Sequence, residues 1–258
     1  MSRTVVVTGS GSGIGAALTA LLRGRGDTVV GVDIKGGDIT ADLSNPAGRD
    51  AAIAAIKEAT GGRIDALVTC AGTSVPSQLM ITLNFFGSVR LIQGLRDALA
   101  ATDNPRVVMI GSIAGTQPVD PKSVAACLAE DEEAALARAD VLVERGAGYS
   151  LYPSSKSSVA QWARKTCVAP GWAEAGIALN VVAPGVVLTP MTDGLFDDPA
   201  MKAVMDEAVP MPLNSYAPPE ALAEVIAFLA SKENTHVTGQ VVYVDGGAEA
   251  SLRPADHF

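Results

Sequence analysis

Along the 258 residues, short apolar runs alternate with longer stretches of helical periodicity. Thr4–Val7 is β-branched and ends at Thr8-Gly9, which predicts a strand closing in a turn. From Ile14 to Leu22 the positions Ala17, Leu18 and Leu21 share one helical face. Thr28–Val32 reads as the next strand, and Ile39-Thr40 as a very short one. Ala51–Ala59 is Ala-rich and helical, and Gly61-Gly62 stops it. Ala66–Thr69 and Val107–Ile110 are continuous apolar runs, as expected of strands covered on both faces. Between them, Leu83–Leu99 reads as one helix. Ser154–Val168 predicts another helix, ended by Pro170-Gly171. Ile177–Val182 is a strand, Pro219–Leu229 a helix, and Gln240–Val244 a last strand.

Alternation of this kind predicts βαβ units and an α/β fold. The expectation is a Rossmann-type doubly wound parallel sheet of about seven strands, with helices on both faces and right-handed crossovers. No linker divides the chain and no repeat of about 20–50 residues recurs, so residues 1–258 read as a single domain. One stretch breaks the rhythm. Thr116–Gly148 holds no strand where a short connection would do, and its middle, Val124–Leu142, reads as helix. It is expected to be a helical insertion.

Composition and charge narrow the classes. Hydrophobic residues make up 48% and charged residues 18%, so a core is available and disorder is excluded. Lys+Arg number 19 against 28 Asp+Glu, a net charge of −9. An acidic surface argues against nucleic acid and an anionic membrane as partners. The insertion alone carries 7 acids, Asp120, Glu130, Asp131, Glu132, Glu133, Asp140 and Glu144, against 3 bases, Lys122, Arg138 and Arg145. Its share of −4 makes the acidity partly local. Cys70, Cys127 and Cys167 are too scattered for a disulfide framework or a zinc site. His236 and His257 are far apart near the C-terminus, which leaves no metal centre and no Ser-His-Asp triad. No run of about 18 apolar residues reads as a membrane span, and the N-terminus is expected to enter the first strand without a signal peptide. The expectation is an acidic cytoplasmic enzyme.

Candidate chemistry begins at Gly9-Ser10-Gly11-Ser12-Gly13-Ile14-Gly15, which follows the first strand and opens the first helix. Glycine is needed where backbone turns sharply or is approached closely. The N–H groups at the helix start attract phosphate. A glycine-rich hairpin turn would lead into a second strand, whereas a helical pattern follows here. Asp33, about 20 residues on, ends the second strand and can take both ribose hydroxyls of NAD while repelling a 2′-phosphate. No Arg or Lys lies among residues 9–15 to favour that phosphate, although Lys35 is close to Asp33.

Of four tyrosines, only Tyr152 has a lysine four residues later, Lys156. In a helix the two share a face. With seven lysines in the chain, such a pair arises by chance about a tenth of the time, so alone it is moderate evidence. A nearby ammonium favours phenolate and lowers the tyrosine pKa, so the phenol can exchange a proton with a carbinol oxygen. Ser112 closes the strand at Val107–Ile110, where its hydroxyl can hold a substrate oxygen or simply cap a turn. Asn84 is unfavourable inside a helix, which points to a polar task or to a buried bond with backbone.

Together these residues resemble the short-chain dehydrogenase/reductase family. Thr8–Gly15 is similar to its TGxxxGIG turn, and Asp42-Leu43 to its adenine-contacting pair. Ala71-Gly72 matches its NAG turn, with Cys70 in place of the usual Asn. Asn84, Ser112, Tyr152 and Lys156 fit its Asn-Ser-Tyr-Lys tetrad. Pro184, Gly185, Val187 and Thr189 fit the segment that holds the nicotinamide carboxamide, and Tyr243–Gly247 fits the last strand. The resemblance implies cofactor contacts at Gly9, Ser12, Gly13, Ile14, Asp33, Asp42, Leu43, Cys70, Ala71, Gly72 and Lys156, with NAD as cofactor. Ser112 and Tyr152 are 40 residues apart, where the family has about a dozen. This spacing, Cys70-Ala71-Gly72, the insertion and the Arg253-Pro254…Phe258 tail resemble the bacterial 3α-hydroxysteroid dehydrogenase/carbonyl reductase subgroup. A homodimer or homotetramer is implied, with a dimer formed by a face other than the usual four-helix interface.

The implied reaction is reversible hydride transfer between NAD and a secondary alcohol or ketone. Tyr152 would be the acid/base, and Lys156 would lower its pKa and bind ribose. Ser112 would polarise the carbonyl, and Asn84 would hold a water leading from Lys156 to solvent. Met191, Leu195, Phe196, Met201, Met205 and Met211 are expected to form an apolar lid or to join the core. A lid of this kind suits a small apolar ketone or alcohol, such as a hydroxysteroid. A terpene, an aromatic alcohol or a cis-diol is the alternative substrate. A dinucleotide sensor without catalysis is the alternative class. Cys70 reads as a small buried apolar residue or as a reactive thiol.

Overall fold

The computed structural model describes residues 2–253 together with 255 and 256. Seven strands form one sheet: β1 (Thr4–Thr8), β2 (Thr28–Asp33), β3 (Ile39–Thr40), β4 (Ala66–Thr69), β5 (Arg106–Ile110), β6 (Ala178–Pro184) and β7 (Val241–Val244). Their order is β3-β2-β1-β4-β5-β6-β7, and every neighbouring pair is parallel. The order reverses between β1 and β4, so a crevice opens at the carboxyl ends of those strands.

The helices are α1 (Gly13–Gly24), α2 (Pro46–Ala59), α3 (Leu79–Ile81), α4 (Ser88–Gly94), α5 (Arg96–Ala100), α6 (Pro121–Leu128) and α7 (Glu132–Glu144). They continue with α8 (Leu151–Thr166), α9 (Pro199–Ala208), α10 (Pro219–Leu229) and α11 (Ala248–Leu252). The continuous apolar strands divide their side chains by parity. Val5, Val7, Ala66, Val68, Val108 and Val182 pack against Leu18, Leu22, Leu222 and Ile226 of α1 and α10. Val6, Leu67, Val107, Met109 and Val181 pack against Ile56, Ile92, Val159 and Trp162 of α2, α4 and α8. Both faces are thereby covered, which is why no polar alternation marks these strands.

Three helical expectations are corrected. The expected helix Leu83–Leu99 is interrupted: Thr82–Gly87 is a wide π-helical turn, and Leu95 separates α4 from α5. Such turns concentrate at functional sites, and this one holds Asn84. The expected helix Val124–Leu142 is two helices, because Asp131 caps α7 by accepting from Ala134 N at 3.0 Å. Between them Glu130 takes a left-handed φ of +57°. Its carboxylate accepts from Arg90 at 2.7 Å, Gln93 at 3.0 Å and Trp162 at 3.1 Å, which binds the segment to α4 and α8. Finally, α8 starts at Leu151 rather than Ser154, which puts Tyr152 in its first turn. Pro254, His257 and Phe258 of the tail lie outside the described residues. Among the described residues no helix is long and apolar enough to cross a membrane.

Candidate active site

The glycine turn after β1 is held by backbone proximity. Gly9 and Gly13 adopt φ of +65° and +51°, values that favour glycine. A Cβ on Gly15 would lie 2.1 Å from the Gly9 carbonyl oxygen. A Cβ on Gly9 would lie 2.8 Å from Ala71 N, so the turns after β1 and β4 touch. Thr8 Oγ1 fixes that contact by accepting from Ala71 N at 3.1 Å. Asp33 ends β2, with Oδ2 accepting from Gly11 N at 2.9 Å and Oδ1 from Lys35 N at 3.0 Å. Each oxygen retains a further lone pair for a ribose hydroxyl. Asp42 is held below its ordinary pKa by Ser44, whose hydroxyl and N–H both donate to its carboxylate.

A cavity of about 560 Å³ runs along the strand ends. Gly9, Ser12, Gly13, Ile14, Asp33, Asp42 and Leu43 line one end. Cys70, Ala71 and Gly72 line its middle, as do Pro184, Gly185, Val187 and Thr189. Thr189 packs against the glycine turn, 3.2 Å from where a Gly13 Cβ would stand. Ser112, Tyr152 and Lys156 line the same cavity. A turn that only glycine can make, a carboxylate about 20 residues on and a long apolar-floored cleft fit a nicotinamide dinucleotide.

The candidate reacting groups come from the end of β5 and from α8. Lys156 Nζ donates to the Ile110 carbonyl at 2.9 Å, which joins α8 to the strand end that carries Ser112. Burial pulls the Lys156 pKa down to about 8. Nζ lies 5.7 Å from the Tyr152 ring centroid. Burial dominates and raises the Tyr152 pKa, and only a bond with Ser112 pulls it down. Ser112 Oγ also accepts from Ala114 N at 3.1 Å, so it caps the 3-10 turn Ile113–Thr116. Burial pushes the Cys70 thiol up to about 12, the state of an inert apolar residue rather than a reactive thiolate.

Asn84 is the one catalytic or cofactor candidate that does not reach the cavity wall. Its Oδ1 accepts from Thr73 N at 2.8 Å, and its Nδ2 donates to the Thr73 carbonyl at 3.0 Å and to Ser155 Oγ at 3.3 Å. The side chain is thus engaged with the Thr73 backbone and with Ser155. It positions the turn after β4, where a Cβ on Gly72 would stand 3.2 Å from Asn84 Oδ1, a tight approach.

The apolar lid is only partly as expected. Met191, Leu195 and Met205 line the cavity. Phe196 instead stacks on Tyr216 at 4.5 Å, and Met211 Sδ accepts from Val186 N at 3.2 Å. Met201 faces solvent. Gln117 and Thr192 are among the lining residues that the sequence did not single out. Thr192 Oγ1 donates to Val187 O at 2.7 Å and accepts from Thr189 N at 3.0 Å, which closes the loop after β6. A threonine three residues beyond Thr189 is a signal for such a turn.

Known proteins share this architecture. A family model described as short chain dehydrogenase matches residues 3–126, and one described as enoyl-(acyl carrier protein) reductase matches residues 122–249. The 3-alpha-hydroxysteroid dehydrogenase/carbonyl reductase of Comamonas testosteroni is 35% identical over 255 residues, 97% of this chain and 98% of that protein. The cis-4-hydroxycyclohexanecarboxylate dehydrogenase of Sinomonas cyclohexanicum is 32% identical over 96% of this chain and 97% of that one. The crystal structure of the 3-alpha-hydroxysteroid dehydrogenase from Pseudomonas sp. B-0831, complexed with NADH, superposes with a TM-score of 0.90. It is 40% identical, covering 99% of this chain and 100% of that one. The chain therefore belongs to the short-chain dehydrogenase/reductase family of oxidoreductases.

Proposed function

We propose that the protein is an NAD-dependent oxidoreductase that interconverts a secondary alcohol and a ketone, acting on a hydroxysteroid or similar alicyclic compound. One observation carries the reading: Ser112, Tyr152 and Lys156 line the same cavity as the glycine turn and Asp33. The Asp33 carboxylate favours NAD, since it pairs with ribose hydroxyls and repels a 2′-phosphate. The NADH-bound neighbour supports the same choice. Two relatives named for alicyclic alcohols support the substrate class.

When bound, the dinucleotide supplies or accepts the hydride. In the direction of reduction, Tyr152 gives its proton to the carbonyl oxygen as the carbon gains the hydride. In oxidation it takes the proton back. Burial raises the Tyr152 pKa above the ordinary phenol value, which favours the protonated form needed of a general acid. Ser112 donates to the carbonyl oxygen and holds it toward Tyr152. The Lys156 ammonium stabilises the phenolate as it forms and would hold the nicotinamide ribose of a bound dinucleotide. Asn84 positions this group through Thr73 and Ser155.

Tyr152→Phe is expected to lower kcat/KM for ketone reduction about 10³-fold. NADH binding, read by its fluorescence, stays within about two-fold, because the ring remains in place. Turnover retained in this variant would overturn the assignment.

A further inference from the structure

Beyond Ser112 and Tyr152 the cavity is walled by Ala114, Val186, Met191, Leu195, Met205 and Val209. Gln117 interrupts this wall; of the other neutral polar lining residues, Thr192 is bonded to Val187 and Thr189, Thr73 to Val75, and Ser74 is exposed. The place of Gln117 follows from the chain path. The 3-10 turn Ile113–Thr116 leads from Ser112, and Ile113 packs in the cluster of Val186 and Val209, remote from the glycine turn. Asp120 N then donates to Ser154 Oγ at 2.9 Å, two residues past Tyr152. Gln117 therefore stands between Ser112 and the first turn of α8, at the substrate end. Its backbone N–H donates to the Ala114 carbonyl at 3.0 Å. Its side-chain amide has no hydrogen-bond partner among the described residues and remains half-buried.

An apolar ring entering this end takes the amide out of water. That costs unless the ligand pairs with it. A ligand with a second neutral oxygen meets that need, since the amide both donates and accepts. A ligand with only the reacting oxygen leaves it unpaired. A carboxylate finds no cation there: Lys156 is the one cationic side chain lining the cavity among the described residues. The loop around α9 adds Asp193, Asp197, Asp198, Asp206 and Glu207 against Lys202, a negative field at the entrance.

The geometry points to Gln117 as a specificity-determining residue that reads a second, uncharged oxygen on an alicyclic substrate and disfavours carboxylates. This rests on the alcohol–ketone reading above. The test compares three ketones on one ring: cyclohexanone, the cyclohexane-dione with oxygens on opposite carbons, and the 4-oxocyclohexanecarboxylate. NADH affinity of each variant serves as the check on folding. Gln117→Leu is expected to lower the ratio of kcat/KM for dione over monoketone about ten-fold. Gln117→Arg is expected to raise the ratio for oxo-carboxylate over dione at least about ten-fold. Unchanged ratios in both folded variants would overturn the inference and leave the alcohol–ketone reading standing. Reduction of none of the three by the unsubstituted enzyme, with either NADH or NADPH, would overturn that reading and this inference with it.

Discussion

At the dinucleotide end of the cavity backbone meets backbone. Gly15 has no room for a methyl group beside the Gly9 carbonyl, and Gly9 has none beside Ala71. At the lid end, side chains of α9 and its flanking loops face open solvent, and Met201 is 45% and Val204 59% exposed. The first end is specified by atoms that cannot be added, the second by side chains with few neighbours. A cofactor shared by many enzymes can be held by fixed backbone, whereas a substrate is read by groups that change freely. Tolerance to substitution should therefore differ sharply between the ends of one cavity.

The largest effect is expected from Gly15→Ala. The added methyl group must displace main chain, so stability falls by about 3 kcal/mol, and NADH binding is lost with the turn. Denaturant titration and NADH fluorescence check both. The smallest is expected from Met201→Ser, an exposed site, with a change within about 0.5 kcal/mol by the same titration. A harmless Gly15→Ala or a costly Met201→Ser would break the contrast.

The same division decides what was legible in the sequence. The seven strands, the glycine turn, Asp33, Ser112, Tyr152 and Lys156 were visible because strand ends and close glycine contacts leave short, local patterns. Every catalytic and cofactor candidate but Asn84 reaches the cavity wall, whereas Phe196, Met201 and Met211 of the expected lid do not. Asn84 left two readings open, and the structure shows the bond with backbone at Thr73. The burial that raises the Tyr152 pKa leaves no local pattern, because it depends on the surrounding helices. α6, α7 and α9 were merged or missed, although each opens on an aspartate that caps it: Asp120 to Ser123 N at 2.8 Å, Asp131 to Ala134 N at 3.0 Å and Asp198 to Ala200 N at 2.9 Å. Asp-Pro at 120–121 and 198–199 was the available signal. Gln117 left none, because its meaning lies in the apolar neighbours that the fold gathers around it.

The central claim is that the bound dinucleotide passes a hydride directly to a ketone carbon held by Ser112 and Tyr152. NADH carrying deuterium on the transferred position of its nicotinamide ring, incubated with a cyclic ketone, tests this most directly. The account predicts an alcohol with one deuterium on the carbinol carbon by mass spectrometry. No alcohol, or alcohol without that deuterium, would contradict it.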